Sequence, residues 1–118
     1  MWYYQDMKYF DTPLLKEDIE NIHQAYGEYV KITADLENKR IVVGCELHAD
    51  GEKILLEKGG NGDNIWGGGI DFVVKDVTTT AMLNLRPRLN NDSMEILDPK
   101  RREVFLELVK RYFIKLWQ

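Results

Sequence analysis

Glu28-Tyr29-Val30-Lys31-Ile32-Thr33-Ala34-Asp35-Leu36-Glu37-Asn38-Lys39-Arg40-Ile41-Val42-Val43-Gly44-Cys45-Glu46-Leu47-His48 is the stretch whose pattern decides the fold. Two runs rich in β-branched residues, 28–35 and 40–48, flank the turn-forming Glu37-Asn38-Lys39, so the segment reads as a hairpin. Side chains alternate across a strand. In the second run this sets Ile41, Val43, Cys45 and Leu47 on one face and Val42, Gly44, Glu46 and His48 on the other.

Toward the N-terminus, residues 2–10 read as a strand. Thr12 then suits an N-cap, with Pro13 at the first helical position. Leu15, Ile19, Ile22 and Tyr26 recur at helical spacing, and Gly27 suits the stop. Toward the C-terminus, Asp50 is placed to cap a short helix running to Lys58, with Ile54 and Leu55 facing inward. The glycine-rich stretch around Trp66 reads as a flexible connection. Two further strands are expected over 70–74 and 78–85. In the latter, Thr79, Ala81, Leu83 and Leu85 alternate with Thr80, Met82, Asn84 and Arg86, and Pro87 ends the run. Residues 88–97 read as a polar loop. Asp98-Pro99 opens a last helix whose apolar stripe is Val104, Phe105, Leu108, Val109, Tyr112, Phe113 and Leu116.

These elements predict an α+β fold in a single domain, residues 1–118. It has a mixed four- to five-stranded sheet, about three helices and the order β-α-β-β-α-β-β-α. The first and last helices are expected on the sheet face carrying Ile41, Val43, Leu47, Leu83 and Leu85.

A chain of 118 residues can bury a real core without staples. Its 44% hydrophobic and 31% charged residues are globular in composition. The single Cys45 cannot form an intrachain disulfide, so the fold does not require an oxidising compartment. The first residues show no signal-peptide pattern, and no apolar run reaches the ~18 residues of a membrane span. A cytoplasmic location with no membrane partner is expected. A net charge of −4 argues against nucleic acid as the main partner.

Several motifs invite a chemical reading. A phosphate-binding loop at Gly60 or Gly62 fails: Ile65 stands where a dinucleotide fingerprint needs glycine, and Gly68-Gly69 stand where a P-loop needs Lys and Ser/Thr. Glu46, His48 and Asp50 place carboxylate, imidazole and carboxylate close together, a set able to bind a metal or move a proton. The plainer reading is a strand end with a capping Asp50 and a hydrogen-bonded His48. Asn84 and Arg86 share a face, and an Arg fork can hold an anion. The alternative there is a structural pair between Arg86 and Glu46. His23 flanks an apolar stripe without a second ligand nearby, and Cys45 reads as a buried thiol. No nucleophile elbow or kinase set occurs, and Lys100-Arg101-Arg102 reads as a solvated helix face.

The segment from Val42 to Asp50, with Leu55-Leu56-Glu57 after it, and Asn84-Leu85-Arg86-Pro87 with Asn91, Ser93, Met94, Glu95-Ile96 and Asp98-Pro99 together resemble a prokaryotic family of small domains of unknown function. Asn64-Ile65-Trp66-Gly67 between them belongs to the likeness, which runs from about Val30 to the last helix. Cys45 and Gly68-Gly69 depart from the pattern. The resemblance implies no activity. It implies that the polar clusters belong to one compact unit.

If 40–48 lay parallel beside 78–85, then Glu46, His48, Asn84 and Arg86 would meet at one sheet end, roofed by the loop carrying Trp66. An antiparallel pairing would separate them. The favoured function is a binding or oligomerisation domain with a polar cleft for an anionic small molecule, its ligand-binding residues Glu46, His48, Asn84, Arg86 and Trp66. A homodimer through the broad last helix is expected with it. The alternatives are a metal-dependent hydrolase using Glu46 and His48, with Asp50 as a third metal ligand, and a nucleic-acid accessory protein resting on Arg86, Arg88 and the basic helix face.

Overall fold

The hairpin read from the sequence is the centre of the molecule. In the computed structural model, which describes residues 7–118, β2 (Tyr29–Asp35) pairs antiparallel with β3 (Arg40–Val43). The wholly buried Asp35 carboxylate organises their connection. It accepts from the backbone N–H of Glu37 and Asn38 at 3.1 and 3.0 Å and from the Arg40 guanidinium at 3.3 Å. Around this pair lie β1 (Lys8–Phe10), β4 (Ile65–Asp71) and β5 (Asp76–Thr78), in the spatial order β1-β3-β2-β4-β5. With α1 (Lys16–Tyr26), α2 (His48–Glu57) and α3 (Pro99–Tyr112), the α+β class and the expected element order hold.

The sheet is not mixed. All four pairings are antiparallel, and β2 and β4 lie between β3 and β5. The helix α2 therefore does not carry the chain to a parallel neighbour. It carries it across β2, over the sheet face that α1 and α3 leave open. One face packs Val30, Ile32, Ile41, Val43, Trp66 and Ile70 against Ile19 and Ile22 of α1 and Phe105, Leu108 and Val109 of α3. The other packs Val42 and Ile65 against Ile54 and Leu55 of α2, with Met7 and Cys45. Cys45 is buried as expected, but beside Val42 and not beside Ile41 and Val43. Burial pushes its thiol pKa up to about 11.

Local boundaries shift for identifiable reasons. The first helix begins at Lys16, not after Thr12, because the Leu14 N–H donates to the Tyr112 carbonyl at 2.9 Å and holds the preceding segment extended. The strand expected over 2–10 is seen at Lys8–Phe10, and its residues 2–6 lie outside those described. β3 stops at Val43 because Gly44 takes φ 81°, a conformation glycine adopts at little cost. Glu46 precedes a helix and His48 begins it, so the strand alternation expected for 44–48 does not exist. That helix is capped at Leu47, with Asp50 inside its first turn. The last helix opens as read: Asp98 accepts from the Lys100 N–H at 3.0 Å and Pro99 follows at the first position.

The two largest corrections lie next to each other. The glycine-rich stretch is a buried central strand and not a flexible connection. Its glycines admit close neighbours: a Cβ at Gly68 would collide with the Thr78 carbonyl and the Phe105 ring, and one at Gly67 with the His48 ring. The strand expected over 78–85 ends at Thr78, and Met82–Asn84 form a 3₁₀ turn. Asn84 is wholly buried and Leu85 exposed, the reverse of the expected register.

Candidate functional site

β5 is too short to satisfy the whole outer edge of β4, and Asn84 finishes the task. Its Oδ1 accepts from the Gly67 N–H at 2.9 Å, and its Nδ2 donates to the Gly67 carbonyl at 2.9 Å. Nδ2 also faces the carbonyls of Thr79 (3.2 Å) and Met94 (3.0 Å). One side-chain amide thus replaces a strand residue. Asn91 repeats the device one layer out, donating to the carbonyls of Asn84, Ser93 and Glu95 and accepting from the Leu97 N–H. The Asn-rich cluster singled out in the sequence holds residues 79–97 against the sheet.

Arg86 is employed in the same way. Its guanidinium meets Glu52 of α2 at 2.9 Å, donates to the Gly62 carbonyl at 2.7 Å, and lies 5.0 Å from the centre of the Trp66 ring. Arg101 covers Trp66 as well, at 4.3 Å. Its structural partner is therefore Glu52, not the Glu46 that the sequence suggested. Trp66 is wholly buried and packs toward α1 and α3. Arg88 pairs with Asp63 at 2.7 Å.

His48 is the one predicted residue that lines an open groove on the α2 side of the sheet. The groove has a volume of about 510 Å³ and runs between the start of α2 and residues 79–94. Its existence follows from the lengths of the elements. α2 covers Thr33 of β2, where Gly51 lets the helix approach closely, but it starts short of Tyr29, Lys31 and Gly69. The Tyr29 ring lies over Gly69 and its hydroxyl bonds Thr78 at 2.9 Å, forming floor. Leu47 and Ala49 make one wall, and Ala81, Met82, Leu83 and Met94 the other. Leu47 is 63% and Met82 72% exposed, large apolar side chains with no cover among the described residues.

Of the polar side chains in this lining, the Tyr29 and Thr80 hydroxyls are bonded to Thr78 and Glu95, which leaves Lys31 and His48. Lys31 reaches from β2 to donate to the Glu46 carbonyl, and no carboxylate among the described residues lies within ion-pair distance of it. His48 is only 8% exposed. Its Nε2 lies 2.7 Å from the Gly68 carbonyl, and since a carbonyl only accepts, Nε2 carries the proton. Nδ1 is then an acceptor with no partner among the described residues. Burial lowers the His48 pKa below its ordinary value near 6.5; the Gly68 carbonyl opposes this and Lys31 adds to it. At neutral pH the groove holds a neutral imidazole beside a cation.

The expected set thus divides among three places. His48 lies in the groove. Glu46 is exposed and contributes its backbone carbonyl, while its carboxylate forms no ion pair among the described residues. Asn84, Arg86 and Trp66 serve the walls and core behind. Among the described residues no group of three or more His, Cys, Asp or Glu is arranged to hold a metal. Sequence reasoning missed Lys31, Tyr29, Leu47, Met82 and Met94. The available signal was Met82, an apolar side chain in an otherwise polar set with Thr80, Asn84 and Arg86.

Fold and groove together define a small α+β domain with a single antiparallel sheet, helices on both faces and an apolar groove at one end of α2. The family described as "Protein of unknown function (DUF5674)" matches residues 9–112, and the chain belongs to that family. This agrees with the small uncharacterised family that the sequence resembled. No curated protein and no solved structure is significantly similar to the chain. No helix among the described residues is long and apolar enough to cross a membrane.

Proposed function

We propose that this protein is a non-catalytic binding domain whose ligand is a small molecule with an apolar body, held in the groove between α2 and residues 79–94. The observation that carries the reading is the groove itself. Its volume of about 510 Å³ falls within the ~300–1,000 Å³ typical of small-molecule sites. Apolar side chains with a few polar groups line it, as such sites require. Two of the lining residues are methionines, whose unbranched chains adapt to an occupant's shape. Arg86 and Asn84, the residues the sequence favoured for holding a ligand, act in this reading as supports of the groove wall. Of the residues behind the nucleic-acid alternative, Arg86 and Arg88 are paired with Glu52 and Asp63, which leaves that reading only the basic face of the last helix.

The test is an NMR titration with decanol as an uncharged apolar probe. Shifts confined to Leu47, Ala49, Met82 and Met94, abolished in Met82→Asp, support the site. Shifts scattered elsewhere, or none, refute it. A second reading, self-association, has one observation behind it: Leu47 and Met82 stand exposed on the groove rim. The last helix gives a dimer less surface than its stripe suggested, since Phe105, Leu108, Val109, Tyr112 and Phe113 are spent on the protein's own core and only Ile114 and Trp117 at its end stand exposed among the large apolar residues of that segment. Sedimentation of wild type and Leu47→Glu at micromolar concentration separates the readings. A dimer that the substitution dissociates supports association through the rim.

A further inference from the structure

We infer that the ligand of this groove is a hydroxy acid with an apolar tail, its carboxylate beside Lys31 and its hydroxyl on His48. The inference rests on the groove being a small-molecule site and names the chemistry of the occupant.

The charge comes from Lys31. Its ammonium has three donors and spends one on the Glu46 carbonyl. With no carboxylate among the described residues to neutralise it, it favours an anion in the half-buried position it occupies. The backbone acts in the same direction. α2 begins at His48 behind Leu47, which has no side chain able to cap it, so the N–H groups of His48 and Ala49 lack intrahelical acceptors where both residues line the groove. These groups add to the field of Lys31.

His48 narrows the class further. The Gly68 carbonyl holds its tautomer, leaving Nδ1 as an acceptor in a residue more than nine-tenths buried. Nδ1 is not sealed off and opens to the groove, so an occupant that covers it displaces its water and must replace that hydrogen bond; a plain carboxylate cannot do so. A hydroxyl near the carboxylate can. The Tyr29 and Thr80 hydroxyls are already bonded to Thr78 and Glu95, and the rest of the lining, from Leu47 and Ala81 to Met82, Leu83 and Met94, is apolar and calls for a hydrocarbon tail.

The experiment is calorimetric titration with β-hydroxydecanoate, decanoate, decanol and decylamine, at low and high salt. β-Hydroxydecanoate should bind tightest. Decanoate should be weaker by about 2- to 12-fold, one neutral hydrogen bond, and decylamine at least about tenfold weaker than decanoate, one charge-assisted contact. Lys31→Met should cost both acids about tenfold and leave decanol unchanged. His48→Phe should erase the difference between the two acids. Equal binding of acid and amine, or unchanged acid binding in Lys31→Met, overturns the anion; a hydroxyl preference that survives His48→Phe overturns the role of His48. In those cases decanol still binds and the groove reading stands. If none of the four binds, both fall. Preferential binding of an apolar peptide with a free C-terminal carboxylate overturns the assignment to a small molecule.

Discussion

Replacing Asn84 with alanine tests whether a side-chain amide completes the sheet. The amide satisfies both backbone groups of Gly67 on the edge that β5 leaves open. The carbonyls of Thr79 and Met94 have other donors, the N–H groups of Ile96 and Ala81, so they lose less. Asn84→Ala therefore strands about two buried groups at ~1–3 kcal/mol each, a loss of about 2–6 kcal/mol. That is a large share of the ~5–15 kcal/mol available to a domain of this kind. Asn84→Asp keeps the acceptor for the Gly67 N–H but sets a carboxyl group against three carbonyl oxygens. Its folded-state pKa is then raised above the unfolded value. The stability of this variant is retained at low pH and lost as pH rises through the folded pKa. Urea unfolding followed by the fluorescence of the buried Trp66 measures both, with the m-value checking that the unfolded state is unchanged. A loss below about 1 kcal/mol for Asn84→Ala, the value of one ordinary hydrogen bond, refutes the reasoning.

Three further outcomes follow from the same structure. Gly68→Ala should cost more than ~3 kcal/mol or prevent folding, because its Cβ meets the Thr78 backbone, whereas Gly62→Ala, with nothing nearby, should be near neutral by thermal melting; equal melting of the two would contradict the packing. The lowered His48 pKa makes stability fall as pH drops below about 6.5 toward the folded value, where the unfolded chain binds the proton first. His48→Gln should flatten that part of the stability–pH curve, and an unaltered slope would count against a buried neutral imidazole. Arg86→Ala should cost about 3 kcal/mol by chemical denaturation, since Glu52 loses its partner and Trp66 one of its covers; a loss in the range of a surface pair, under about 1 kcal/mol, would assign Arg86 a role other than support.

What the sequence determined by itself is what local chemistry dictates. The first hairpin, its turn, the Asp98-Pro99 helix start and the α3 stripe were legible because capping, proline geometry and apolar period act over a few residues. The exclusion of phosphate-loop motifs was legible for the same reason. Contacts distant in sequence decided the rest. Gly67, Gly68 and Gly69 read as a loop because nothing local says that Phe105, His48 and Tyr29 will fill the space their side chains leave. Thr79 to Arg86 alternated like a strand, yet Asn84 gains more by closing the edge of β4 than the segment gains by continuing β5. The groove was not legible because it is the region α2 does not reach. Helix length and register against β2 set that boundary, and Lys31 and Met82 acquire a shared surface only once the sheet order places them together.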